Sequence, residues 1–197
     1  MKSFKHIIRI LLKKKLTTLL LLVSLSIGLT SFILISIKVT YHSSFDTYLD
    51  NYKNIHRIIS SAYTDNVLTI SQPRTQRILG QMLKEKYPEV RESGFICRSE
   101  EIHYKIGNDL FVNENTFYSS NGLTKIFDLD IIKGNSKSLL TKPNMAIISE
   151  SFANKYFGKE NPIGKIIWQY PAQEFEIEAV YKDFAKNSHI QPDLLIS

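Results

Sequence analysis

The stretch that most nearly spells chemistry is Gly158-Lys159-Glu160-Asn161-Pro162-Ile163-Gly164-Lys165-Ile166, two glycines and a lysine as in a phosphate-binding loop. Such a loop needs four residues between its glycines, a Ser or Thr after the lysine to hold magnesium, and free amides around the oxygens. Here five residues separate the glycines, Ile166 occupies the hydroxyl position, and Pro162 has no amide hydrogen. A helix C-cap at Gly158 followed by an Asn-Pro-x-Gly turn explains the same residues. The histidines (His6, His42, His56, His103, His189) lack metal-ligand spacing, and Cys97 is the only cysteine. No GxSxG elbow or SxxK motif is present. Glu100-Glu101 and the alternating Glu174, Glu176 and Glu178 are the available carboxylate pairs; on a strand the last three share one face, most simply a solvated one. The expectation is a protein that is not an enzyme and carries no metal and no cofactor.

The elements that would position these residues begin with a membrane signal. Leu16 to Ile37 contains no charged side chain and follows a basic cluster of Lys2, Lys5, Arg9, Lys13, Lys14 and Lys15. As a helix the uncharged run measures about 33 Å, enough to cross a hydrocarbon core. Positive charge on the short flank predicts a cytoplasmic N-terminus. A signal peptide has a shorter apolar core and a small-x-small cleavage site, which Ile37 to Tyr41 does not supply, so an uncleaved anchor is expected. Seven of the 25 Lys and Arg lie at or before Lys38, and none of the 19 Asp and Glu does. The net charge of +6 is therefore a topology signal, and nucleic acid is not expected as a partner.

Phe4, Ile7, Ile8, Leu11 and Leu12 recur at helical spacing, giving an amphipathic stretch able to lie in the membrane interface or simply to flank the anchor. Within the span, Ser24 and Gly28 have the spacing that lets helices approach closely. Tyr41 to Tyr52 is able to extend the helix as a stalk. Beyond it, Ile55 to Ala62 reads as a strand, and Ser71-Gln72-Pro73 opens a helix with Ile78, Met82 and Leu83 on its face, ended by Pro88. Two runs, Phe95 to Arg98 and Ile102 to Ile106, alternate as strands, with Gly107-Asn108-Asp109 turning into a hairpin partner, Leu110 to Glu114. Cys97 is expected to be half-buried there. A short strand precedes Gly134. Met145 to Ile148 is another, after which Ser149 caps a helix that Gly158 ends. A last hairpin joins Gly164 to Trp168 with Phe175 to Tyr181. The pattern predicts an α+β fold: one N-terminal transmembrane helix followed by a mixed α/β domain.

Specific strings then follow in order: Tyr87-Pro88-Glu89-Val90, Ile126 to Gly134, Ala146 to Ala153, Lys155-Tyr156-Phe157-Gly158, Asn161-Pro162-Ile163-Gly164-Lys165, Val180 to Phe184, and Asn187-Ser188-His189-Ile190. Together they resemble the periplasmic core domain of MacB-like, FtsX-type ABC transporter permeases. The start, with Phe4-Lys5, Arg9 and the Lys-rich run, resembles that family's cytoplasmic segment. Ser119-Ser120-Asn121 departs from it, standing where an Asp-containing segment is expected.

The resemblance implies a division into a cytoplasmic basic segment (1–15), a transmembrane helix (16–39) and a periplasmic core domain (40–197) in a bacterial inner membrane. It implies a permease subunit that couples ATP hydrolysis by a cytoplasmic ABC ATPase partner to movement outside the membrane, as a homodimer or paired permease embedded in lipid. Such permeases carry three further membrane helices, so a fragment or truncated gene product is expected. The competing expectation is a membrane-anchored extracytoplasmic sensor domain. Residues expected to matter are structural or transmissive: Gly28 in the span; Gly134, Gly158, Pro162 and Gly164 in turns; Phe127, Tyr156 and Phe157 as core aromatics; and Asn187, Ser188 and His189 as a hydrogen-bonded junction.

Overall fold

The computed structural model describes residues 13–197 except 100, 101, 108, 114, 171 and 172. The expected amphipathic stretch from Phe4 to Leu12, His6, the Glu100-Glu101 pair and the Asn108 turn position lie outside the described residues. The chain divides between Phe45 and Asp46 into two compact units.

The first unit is helix α1, Lys15–Ser43. It is apolar around its whole circumference and none of its residues is buried. An 18-residue window within it reaches a mean hydropathy of 2.4, so the helix is long and apolar enough to cross a membrane. At 29 residues it measures about 44 Å. Two serines within the span are satisfied by the helix itself, Ser24 Oγ donating to Leu21 O at 3.0 Å and Ser26 Oγ to Leu22 O at 2.7 Å. That is the form hydroxyls must take where no water is available.

The second unit is the mixed α/β domain. It opens with a hairpin, β1 (Ser60–Thr64) and β2 (Val67–Gln72), turning at Asp65 and Asn66, both with positive φ. The strand expected over Ile55 to Ala62 thus starts late and continues beyond Ala62. Ser71 and Gln72 pair with Ser61 and Ser60, so Pro73 ends a strand instead of opening a helix. Helix α2, Ile78–Lys86, begins later and stops before Pro88 as expected. Ile78 and Met82 are exposed on it, and Leu83 is half-buried.

The remaining elements are β3 (Ile96–Arg98), β4 (Ile102–Ile106), β5 (Asp109–Asn113), β6 (Thr116–Ser119), α3 (Asn121–Ile126), β7 (Ile131–Gly134), β8 (Met145–Ser149), α4 (Glu150–Phe157), β9 (Ile166–Gln169), β10 (Gln173–Tyr181) and β11 (Leu194–Ile196). The strands form one sheet in the order β3-β6-β11-β8-β10-β9-β4-β5, with β7 also on β10. In a flat sheet β3 and β4 would lie about 29 Å apart, six strand spacings. The four Cα links from Arg98 to Ile102 reach about 15 Å at most. The sheet must therefore curl until its ends approach.

Two apolar clusters cover the two faces. Ala146, Ile148, Leu194 and Ile196 join Phe152 and Phe157 of α4 on one face, while Ile147 and Leu195 meet Leu139, Leu140 and Tyr181 on the other. Ser149 Oγ accepts from Phe152 N at 3.1 Å as the N-cap of α4, and Gly158 ends that helix at φ 56°. Cys97 is exposed, not half-buried, because β3 is the end strand of the sheet order and pairs with β6 alone among the described strands.

Strand β10 departs from strict alternation. Its pairing with β8 shifts register between Ile177 and Ala179, so Phe175 and Ile177 face the first cluster but Ala179 and Tyr181 the second. A bulge of this kind adds one residue and reverses the faces beyond it. Glu178, the added residue, leaves the solvated row expected for Glu174, Glu176 and Glu178 and accepts from Leu140 N at 2.5 Å. Burial pushes its carboxyl above the usual carboxylate range, against that hydrogen bond. Gly134 lies against the bulge with φ 97°, and a Cβ there would overlap Glu178 O.

We therefore predict that Gly134→Ala destabilises the chain by about 3 kcal/mol or more, strain and overlap together. Gly158→Ala meets open space around the new methyl but must hold φ 56° with ψ −115°, which side chains rarely adopt, so a loss of about 1–3 kcal/mol, smaller than at Gly134, is expected. Urea unfolding of both variants in detergent measures the difference; equal losses would refute the close contact at the bulge.

Candidate functional site

No described residues gather as three or more potential metal ligands. The densest polar constellation joins two segments about 140 residues apart. Asp46, the first residue of the second unit, adopts φ 57°, a conformation Asp tolerates better than most side chains. Its amide donates to Asn187 O at 3.0 Å. Its carboxylate Oδ1 accepts from Ser188 Oγ at 2.9 Å and His189 N at 3.1 Å, while Oδ2 lies 2.6 Å from His189 Nδ1. Ser188 is buried, and its hydroxyl also accepts from Tyr48 OH at 3.3 Å and Ile190 N at 3.4 Å. The Ser188 amide closes a turn on Ala185 O at 3.0 Å.

The cluster contains Asp, His and Ser, the types used in nucleophilic catalysis, but not in the arrangement that activates a nucleophile. There the imidazole accepts the serine proton. Here Ser188 donates to the carboxylate, and the imidazole nitrogen in contact is the one held by Asp46. The geometry makes a mechanical tie. Burial opposes ionisation of Asp46, but the hydrogen bonds from the His189 ring, the Ser188 hydroxyl and the His189 amide outweigh it and hold the carboxyl below its usual range.

The other residues singled out in the sequence lie elsewhere. Gly28 is on α1, with open space where a Cβ would stand. Phe127 caps α3 and meets Phe184 edge-on at 5.9 Å. Tyr156 stacks on Phe111 at 4.4 Å and Phe157 is buried in the first cluster. Pro162 is fully buried, and Gly164 at φ 79° donates its amide to Ile177 O at 2.8 Å. The Ile163 amide turns to Asn161 Oδ1 at 3.3 Å, and Lys165 pairs with Glu160. The Ile163, Gly164 and Lys165 amides and the lysine side chain of the phosphate-loop lookalike are thus already engaged. The structure joins Asn187, Ser188 and His189 to one another's neighbourhood but not to the turns or core aromatics. Sequence reasoning missed Asp46 and Tyr48, because nothing local marks them as partners of a loop so distant in the chain.

The chain matches the MacB-like periplasmic core domain family over residues 18–197. No curated protein matches it. Among solved structures, a permease-protein domain from Porphyromonas gingivalis is 22% identical with a TM-score of 0.51, covering 60% of this chain and 55% of that one; it shares the fold. The periplasmic region of MacB from Actinobacillus actinomycetemcomitans is 18% identical, with a TM-score of 0.39 over 51% of this chain and 48% of that one. The extracellular domain of the ABC-type transporter YknZ from Gram-positive bacteria is 21% identical, with a TM-score of 0.37 over 51% and 52%. The chain spans about half the length of each.

The lowered Asp46 carboxyl fixes the sign of a pH effect. Its contribution to stability is present above the ordinary aspartate value of about 3.9 and is lost as pH falls through the lower folded value. His189 and Tyr48 are the titratable groups facing the cluster. We predict that the stability gap between the wild-type chain and Asp46→Asn closes as pH falls below the ordinary aspartate value, when measured by urea unfolding. A gap that stays fully open through that range would refute the tie.

Proposed function

The chain belongs to the MacB-like periplasmic core domain family, and we propose that it is the mechanical front end of an ABC transporter permease. The observation that carries this is the family match running from within α1 to Ser197. In the proposed division, 1–15 is a cytoplasmic basic segment, 16–39 crosses a bacterial inner membrane and 40–197 works on the periplasmic side. The cluster of Lys2, Lys5, Arg9, Lys13, Lys14 and Lys15 before the span supports that orientation.

ATP hydrolysis belongs to a cytoplasmic ABC ATPase partner, which moves the membrane helices of a paired permease. A continuous helix of about 44 Å transmits displacement with little loss, since its hydrogen bonds close within the segment. For that displacement to act on the periplasmic domain, the chain leaving the membrane must be fastened to it. Asp46 follows the last helical residue, Ser43, by three positions, and it is held by Asn187, Ser188 and His189. Those three residues, with Asp46 and Tyr48, are the proposed point where force enters the domain. Such a task needs hydrogen bonds that stay made under load, not acid–base chemistry.

Cys97 offers a direct test of orientation, because it is the only cysteine and is exposed. A membrane-impermeant maleimide is expected to label it from the outer face of the inner membrane in spheroplasts. Labelling only after lysis would overturn the topology. For the force path, alanine at Asn187, Ser188 and His189 together in the parent permease should leave ATPase association intact but uncouple hydrolysis from transport. Unchanged coupling in a folded triple variant would end that part of the reading.

A further inference from the structure

The hairpin of β1 and β2 has no covered side. Every residue of both strands is exposed, and the pair forms a two-stranded sheet joined to no other described strand. Both faces carry apolar pairs, Tyr63 with Leu68 on one and Ala62 with Ile70 on the other. Tyr63, Leu68 and Ile70 are each more than half exposed. From Ile58 to Pro73 the only charged side chain is Asp65, at the turn. A two-stranded ribbon of this kind is marginal in water, and a bare apolar surface marks contact with another body.

The two edges of the ribbon are not equivalent. On β2, Thr69 is an extra residue with nothing opposite, since Ala62 pairs with Ile70 and Tyr63 with Leu68. That bulge, with Pro73 just beyond it, blunts the β2 edge against further pairing. Strand β1 has no bulge, proline or lysine of its own. Its outer edge is the one able to accept a strand.

The strand that fits this edge best is β1 itself. Laid antiparallel on a second copy about Ser61, it sets Tyr63 against Ile59 of that copy. Leu68, Tyr63 and the copy's Ile59 then form one apolar row, which the two-fold repeats. The same register brings Asp65 at each tip to Arg57 at the base of the other hairpin. Among the described residues neither side chain makes an ion pair, and Arg57 spends one donor on Pro73 O at 3.3 Å. Centring the pair on Ala62 instead would set Asp65 against Ile59 and leave Arg57 without a charged partner.

We propose that two copies of this chain dock through their β1 strands, antiparallel about Ser61, as one four-stranded sheet. A two-fold contact of this kind closes on itself and leaves only the blunted β2 edges outside. A bilayer would cover the apolar row but would neither pair the β1 backbone nor match Asp65 with Arg57. The contact belongs to the paired permease of the preceding reading and rests on that reading for the presence of two copies.

Cross-linking of the full chain in detergent tests this. Residues opposite each other in an antiparallel pair have Cα atoms about 4.5–5.5 Å apart, within reach of a disulfide. Ser61→Cys in a Cys97→Ser background should therefore form a covalent dimer on mild oxidation. It should do so at least about tenfold faster than Val67→Cys, which lies on the outer strand. Asp65→Arg and Arg57→Asp, each setting two like-charged pairs in the dimer, should each weaken association by about tenfold, and the two together should restore it. Equal cross-linking at both positions would overturn the proposal, as would a double reversal that restores nothing. So would a monomeric chain whose Ser61→Cys thiol is shielded from maleimide by phosphatidylethanolamine–phosphatidylglycerol vesicles, which assigns the hairpin to the bilayer. A parent permease that couples hydrolysis to transport without the Ser61→Cys cross-link would overturn this contact and leave the preceding reading standing.

Discussion

Strand β10 must pair on both edges and bury side chains on both faces, and a regular nine-residue strand could not meet those demands with this sequence. Its first half pairs with β9, its second half with β7, and β8 runs along the other edge. The bulge at Glu178 resolves the conflict by reversing the alternation midway, so that Phe175 and Ile177 serve one core while Ala179 and Tyr181 serve the other. Glu178, displaced from the outer row, then holds the Leu140 amide, and Gly134 admits the bulged backbone where any side chain would collide. Both apolar clusters depend on that one inserted residue.

Around this centre the domain is fastened by polar contacts at its margins. The Asp46 cluster holds the start of the domain to the loop at Asn187 to His189, using a carboxylate, a hydroxyl, an imidazole and two amides for a tie that a hydrophobic contact could not make so directional. The curled sheet has a second polar feature inside it, where the Ser99 and Thr116 hydroxyls stand beside the Tyr104 phenol. Directional contacts resist shear better than apolar surfaces, which slide at little cost until water enters.

Much of the domain was legible in local sequence. The alternation of Ile102 to Ile106 and its partner strand, the Ser149 cap, the Gly158 terminator and the final hairpin all follow from side-chain period and turn chemistry acting over a few residues. The misreadings share a cause. Pro73 looks like a helix start until Ser71 and Gln72 are seen paired with Ser61 and Ser60, and Cys97 looks half-buried until β3 is found on β6. Each error concerns a partner that lies elsewhere in the chain.

Sequence alone determined the apolar span, its one-sided positive flank, the mixed α/β character of the domain beyond it and the strings that mark the family, because each depends on composition or spacing within one segment. Only the tertiary structure decided that Asp46 answers to Ser188 and His189, that β10 breaks its own period at Glu178, and that the sheet curls enough to bring Ser99 to Tyr104. Those outcomes rest on contacts between residues far apart in the chain. Their free energy appears only once closure has already brought them together, and no local pattern can encode which distant partner will be there.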